Sequence, residues 1–188
     1  SGFKPANLLA TRSAAGANNV AVFNSVVHIG ANPPYLGFIL RPTTVPRHTW
    51  ANIQETGYYT INAVTQALHR QAHKTSGKYP QGDSEFEACG LTPEFHSDFP
   101  APFVSGSPIG IGLRFEEALE TRCNGTRLII GAVQMLVLPD GVVGPDGDIS
   151  LDGLGLAAIG GLDTYYRCEK VGRYAYYKPG ESLRQLDE

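Results

Sequence analysis

The sequence predicts a mainly β protein, a closed antiparallel barrel carrying a few short helices. Two observations lead there. Of 188 residues, 22 are glycine and 13 proline, while only 18% are charged; this composition suits many strands joined by tight turns better than a helical bundle. The strand-like segments also outnumber the helical ones and follow one another as hairpins. No linker, repeat or low-complexity tract divides the chain. Its length is enough to bury about two thirds of the surface an unfolded chain exposes, so one domain over residues 1–188 is expected.

Leu8 to Arg12 reads as a short strand and Asn18 to Phe23 as its partner, with Ala14-Ala15-Gly16-Ala17 as the turn between them. Asn32-Pro33-Pro34 interrupts pairing, because a proline has no N–H for a ladder. Tyr35 to Leu40 is continuously apolar, like a strand covered on both faces. Thr49 to Thr56 has a helical pattern: Trp50 and Ile53 lie three apart on one side, and Gly57 supplies the stop. Tyr58 to Val64 returns to strand. Thr65 to His73 is expected to be a second helix, Lys74 to Pro80 a loop, Ser84 to Glu87 a helical turn, and the segment to Pro102 irregular. Ile109, Ile111, Leu113 and Phe115 then alternate with Gly110, Gly112, Arg114 and Glu116, the pattern of a half-buried strand. Its partner, Thr126 to Leu138, follows Asn124-Gly125, a strong hairpin signal. Turns at Pro139-Asp140-Gly141 and Pro145-Asp146-Gly147 precede expected strands at Leu162 to Cys168 and Arg173 to Tyr177.

Charge and composition exclude several functions. The net charge is -3 and the basic residues are scattered, so neither a nucleic acid nor an anionic membrane surface is an expected partner. No apolar run approaches a membrane span, and the N-terminal residues lack the charged-then-apolar layout of a secretion signal. Cys89, Cys123 and Cys168 are far apart and form no Cys-x-x-Cys pair; reduced thiols and a cytoplasmic location are expected. Gly153-Leu154-Gly155-Leu156-Ala157-Ala158 has the spacing of a dinucleotide-binding motif, but a tyrosine-rich strand pattern follows it instead of a helix. His69 and His73 are four apart without a third ligand, so they read as a surface pair and no metal is expected. Asp140, Asp146, Asp148 and Asp152 lack the glycine and glutamate positions of a calcium loop and read as turn residues. No nucleophile elbow, zinc-protease helix or catalytic cysteine signature occurs, and no catalytic side chain is assigned.

One stretch does concentrate binding chemistry. Between Asn18 and Asn62 a strand ends in Phe23-Asn24-Ser25, another ends in Leu40-Arg41-Pro42, and Arg47-His48-Thr49 opens a short helix. Two guanidinium groups and two hydroxyls thus surround one helix start, where free N–H groups and the helix dipole favour a dianion. The pattern points to a seat for a phosphate. Ordinary surface arginine is the alternative reading of Arg41 and Arg47. Lys74-Thr75-Ser76 adds a cation and two hydroxyls if its loop folds back toward the helix start.

Several further segments occur in a telling order. Phe3-Lys4-Pro5-Ala6-Asn7 opens the series, followed by Asn19-Val20-Ala21-Val22-Phe23-Asn24-Ser25-Val26, Asn32-Pro33-Pro34 and Arg41-Pro42. Thr49-Trp50-Ala51-Asn52-Ile53-Gln54-Glu55-Thr56-Gly57 leads into Thr60-Ile61-Asn62. Ser84-Glu85-Phe86-Glu87-Ala88-Cys89-Gly90-Leu91, Ser107-Pro108-Ile109-Gly110 and Gly161-Leu162-Asp163-Thr164-Tyr165-Tyr166 complete it. Taken together, this order resembles the flavin reductase-like family, whose members fold as an FMN-binding split barrel. The resemblance implies a homodimer with one FMN per subunit near the subunit interface. It matches Asn19 and the backbone of Val20, Ala21 and Val22 to the flavin ring, and Asn24 and Ser25 to the ribityl-phosphate arm. Arg41, Arg47 and Thr49 match the phosphate end, Lys74 and Thr75 a loop closing over the cofactor, and Tyr165 a C-terminal position near the site. Many relatives carry small hydroxyl residues where this chain has Val20 and Ala21, which shifts hydrogen bonding of the ring to backbone amides.

A cofactor that performs the chemistry also accounts for the missing acids, bases and nucleophiles. The leading expectation is an NAD(P)H-dependent flavin oxidoreductase, in which NADH or NADPH passes hydride to the flavin. A flavoprotein electron carrier reduced by a protein partner is the alternative, and a flavin-free ligand-binding barrel is a third reading.

Overall fold

The computed structural model describes residues 2–42, 47–80 and 83–186. Its strands are β1 (Phe3–Pro5), β2 (Asn7–Arg12), β3 (Asn18–Phe23), β4 (Val26–Ala31), β5 (Pro34–Leu40), β6 (Tyr58–Ala63), β7 (Pro93–Glu94), β8 (Phe103–Val104), β9 (Gly110–Glu120), β10 (Arg127–Val137), β11 (Ala157–Gly160) and β12 (Thr164–Arg167). The helices are short: α1 (His48–Thr56), α2 (His69–Lys74) and α3 (Glu85–Cys89). No helix among the described residues is long and apolar enough to cross a membrane.

Seven strands form one antiparallel sheet in the order β3-β2-β6-β9-β10-β5-β4. Its two edge strands, β3 and β4, are consecutive in the chain and separated only by Asn24 and Ser25. So short a connection spans about 10 Å at most, and the sheet must curl until its edges meet there. The Phe23 and Phe38 rings pack edge-on at 5.2 Å and bring the end of β3 against β5, while the Ser25 carbonyl, accepting from Ile39 N–H at 2.9 Å, extends the β4–β5 ladder by one position. No ladder joins β3 to β4 among the described residues. The expected closed barrel is therefore found as a curled sheet whose seam carries no strand pairing.

The strand β2 shows why this curl is stable. Its side chains alternate between two faces: Leu9 enters a core with Phe38, Ile53, Tyr59, Leu113 and Ile129, whereas Leu8 and Ala10 enter a second core with Val20, Val64, Phe86 and Ile159. Both leucines are fully buried, each contributing about 1.5–3 kcal/mol of apolar burial. The helix α1 caps the first core through Ile53, and it ends at Gly57, whose left-handed φ of 76° lets its N–H close on the Ile53 carbonyl.

Several boundaries differ from the sequence expectation. The second helix begins only at His69, because Thr65 makes an isolated bridge to Leu156. The strand expected from Leu162 begins at Thr164 and pairs with β11, which pairs in turn with β1 in a separate three-stranded sheet. At Arg173 to Tyr177 there is only an isolated bridge, Tyr174 to Gln185. The face of β9 carrying Gly110 and Gly112 is covered and not open: Phe99 and Phe103 lie on it, and a Cβ on Gly112 would stand 2.8 Å from the Phe99 ring. Glycine in a strand interior marks such close approach.

Candidate functional site

Strand β3 is an edge, so alternate backbone groups face away from β2 and need other partners. Two of them are stapled by neighbouring elements. The Ser84 hydroxyl donates to the Asn18 carbonyl at 3.0 Å, and Val22 N–H donates to Thr75 Oγ1 at 2.8 Å. Thr75 is buried and its own hydroxyl donates to the Ala72 carbonyl at 2.7 Å. The end of α2, where Lys74 is the last residue and Thr75 the C-cap, is thereby fixed against β3 rather than at the start of α1, and Lys74 itself is exposed.

Asn19 organises the buried polar centre. With its amide placed so that donors meet acceptors, it donates to both Glu85 oxygens, 3.1 and 3.3 Å, and accepts from Val20 N–H and the Thr49 hydroxyl, each 3.2 Å. The opposite orientation, in which the amide nitrogen donates to Thr49, would set the amide oxygen against the Glu85 carboxylate. Glu85 is buried, and His48 Nδ1 lies 3.8 Å from it. These contacts give the site residues that the sequence reading did not assign: Glu85, and His48 at the helix start. The available signal was Asn19 itself, a polar side chain in an apolar strand that has to find a buried partner.

The helix start carries the expected donors. Ala51 N–H is the donor that closes the first turn, onto the Arg47 carbonyl at 3.0 Å, which leaves the N–H groups of His48, Thr49 and Trp50 without an intrahelical acceptor. Among the described residues no side chain caps the helix, and no acidic residue occupies its first turn. Arg41 and Arg47 are both exposed and make no ion pair among the described residues. Residues 43–46, between them, lie outside the described residues. Thr49 turns inward to Asn19, so its hydroxyl supports the strand rather than joining the two arginines.

At the seam, Asn24 Nδ2 donates to the Gly161 carbonyl at 2.8 Å, the Ser25 hydroxyl donates to Asn24 Oδ1 at 3.2 Å, and Lys4 Nζ donates to Ser25 Oγ at 3.4 Å. Val20 is wholly buried in the core, and only its backbone faces the edge; Val22 and Ala21 are half-buried. Tyr165 packs against both His69 and His73, at 5.5 and 5.8 Å between rings, with its hydroxyl 3.4 Å from His73 Nδ1. Burial pushes the Tyr165 phenol above its ordinary pKa. The two histidines are thus ring partners for Tyr165, and no group of metal-ligating side chains occurs among the described residues.

A cleft of about 950 Å³ lies elsewhere, between β1, residues 148–156 and residues 167–173. None of the twelve residues expected at the site lines it. It adjoins them where Lys4 reaches Ser25 and where Ala6, Val64 and Ala157 share a core with Val20.

The fold is shared with known split-barrel proteins. Residues 4–151 match the flavin reductase like domain, and the chain belongs to the flavin reductase-like family. A candidate flavin reductase with a split barrel domain from Shewanella frigidimarina is 46% identical, covering 94% of this chain and 87% of that one, with a TM-score of 0.90. The flavoredoxin of Desulfovibrio vulgaris is 20% identical over 96% of this chain and 94% of that one, with a TM-score of 0.81, a likeness of fold. An uncharacterized protein of Halalkalibacterium halodurans is 27% identical over 118 residues, which is 62% of this chain and 56% of that protein.

Proposed function

We propose that the protein is an FMN-dependent NAD(P)H:flavin oxidoreductase that works as a homodimer, with residues 1–188 acting as one domain. The observation that carries this is the start of α1, which has no side-chain cap and no acidic residue in its own first turn, with exposed Arg47 at its N-cap and exposed Arg41 six positions earlier in the chain, while Glu85 behind it is taken up by Asn19. That donor set suits a terminal phosphate dianion. FMN ends in such a group, whereas the internal diphosphate of FAD spreads one charge over each phosphorus. A bound flavin would supply the redox chemistry by accepting a hydride from a nicotinamide and passing the electrons on.

The chain's own residues bind and position. Arg41, Arg47 and the N–H groups of α1 would hold the phosphate. Asn19, fixed by Glu85 and Thr49, ties β3 to α1, and Thr75 holds the Lys74 loop onto Val22. Asn24 and Ser25 set the seam, which Lys4 reinforces. Asn18 Oδ1, buried and without a partner at the start of β3, is an acceptor that suits the imide N–H of a flavin ring. Tyr165 closes the α2 side through His73.

The test is steady-state oxidation of NADH and of NADPH by the purified protein with FMN, and with FAD in parallel. Turnover with FMN at lower concentration than with FAD is the expected result. Tight FMN binding with no turnover by either nucleotide would reject the reductase reaction and leave the reading of an electron carrier reduced by a protein partner.

A further inference from the structure

The 950 Å³ cleft has a chemistry of its own. Its floor is apolar and comes from three places in the chain: Ala6 after β1, Val64 after β6, and Ala157 and Ala158 on β11. Phe3 and Leu151, 70% and 55% exposed, stand over it with apolar surface that folding has left accessible. A volume of this size is in the range that encloses a drug-sized ligand.

The charges around it are almost fully matched. Four basic side chains line the cleft. Three of them have carboxylate partners that also line it: Arg167 with Glu169 at 3.0 Å, Lys170 with Asp152 at 3.3 Å, and Arg173 with Asp148 at 3.3 Å. These pairs neutralise one another, and the last two tie residues 167–173 to residues 148–152. The fourth cation, Lys4, meets only the Ser25 hydroxyl among the described residues. The cleft is therefore an apolar cavity with one unmatched positive charge at one end, complementary to a ligand with an apolar body and a single negative charge.

We infer that this cleft is a binding site for an apolar monocarboxylate, distinct from the flavin site proposed above, with Lys4 as the group that recognises the carboxylate. None of the residues proposed to contact the flavin lines the cleft, and Lys4 joins the two sites through its hydrogen bond to Ser25 at the seam.

Calorimetric titration with naphthoate and with its neutral analogue naphthamide tests it. Naphthoate is expected to bind about tenfold more tightly than the amide, the value of one charge-assisted hydrogen bond. Lys4→Met should remove that preference while leaving amide affinity unchanged, and Lys4→Arg should keep it. Cys168 lines the cleft and Cys123 does not, and both are exposed, so naphthoate should slow alkylation of Cys168 alone; this readout locates the ligand even if the Lys4 variants fold poorly. Equal affinity for the two compounds, or protection of neither cysteine, would overturn the inference. So would displacement of naphthoate by FMN, which would make the cleft the flavin's own site, or an absence of binding together with an unreactive Cys168, which would mean that a second copy of the chain covers the cleft.

Discussion

Tyr59 is wholly buried and its hydroxyl has no hydrogen-bond partner among the described residues. Burial alone pushes its phenol well above the ordinary tyrosine range. A buried hydroxyl without a partner costs stability, so Tyr59→Phe should leave the protein unchanged or more stable by about 1 kcal/mol in urea unfolding; a clear loss would reveal a partner for the hydroxyl. Gly131 lies directly beneath that hydroxyl, where a Cβ would collide with it, and Gly131→Ala should cost about 1–3 kcal/mol by overpacking. Thr75→Val removes the acceptor of the half-buried Val22 N–H while keeping side-chain shape, and should cost about 1 kcal/mol for a donor left without its partner. Arg41→Ala is different, because Arg41 is exposed and makes no ion pair among the described residues: stability should hold while FMN affinity, measured by fluorescence titration, falls by about 1–3 kcal/mol. Residue types alone marked Arg41 and Arg47 as candidates, since a cation beside a helix start is visible in the order of the chain. They could not show that Thr49 faces Asn19, because that depends on which side of α1 packs against β3.

Among the elements, the C-terminal segment is held by a clasp that composition did not suggest. Arg173 reaches Asp146 at 2.5 Å and Asp148 at 3.3 Å across the turn at residues 144–148. Asp146 is held down to about 2, first by its hydrogen bond with Asp148 and then by Arg173, while the same hydrogen bond is the main cause pushing Asp148 up. The two carboxyls titrate as a pair. Because the folded value of Asp146 lies below its unfolded one, its contribution is whole above about pH 4 and is lost as pH falls through about 2. The raised Asp148 has the opposite sign, favouring the fold at low pH and losing that advantage as pH rises through its folded value. Pepsin cleavage among Tyr174, Tyr176 and Tyr177, normalised to an unstructured peptide, should therefore increase from pH 4 to pH 2, and Arg173→Ala should be cut equally at both. The hairpin of β9 and β10 was legible from Asn124-Gly125, because a turn signal acts locally. The cover that Phe99 and Phe103 place on β9 was not, since the glycines that admit them also fit an open face.

For the whole molecule, the C-terminal segment carries strongly exposed apolar side chains: Val171 is 97% exposed, Tyr176 92%, Leu162 63% and Leu183 61%. Apolar patches of this kind are the usual mark of an interface. A homodimer is the expected outcome, and light scattering should return twice the chain mass of 20.2 kDa; a monomer across the micromolar range would count against it.

Residue order was sufficient for most strands, for helix α1, for the turn glycines and for the arginines near the helix start, because each depends on neighbours within a few positions. The Asn19–Glu85 pair, the Thr75 staple and the cleft behind Lys4 join residues 20 to more than 100 positions apart. Their partners are selected by how the sheet curls and by which polar groups it buries, and no local pattern in the chain encodes that choice.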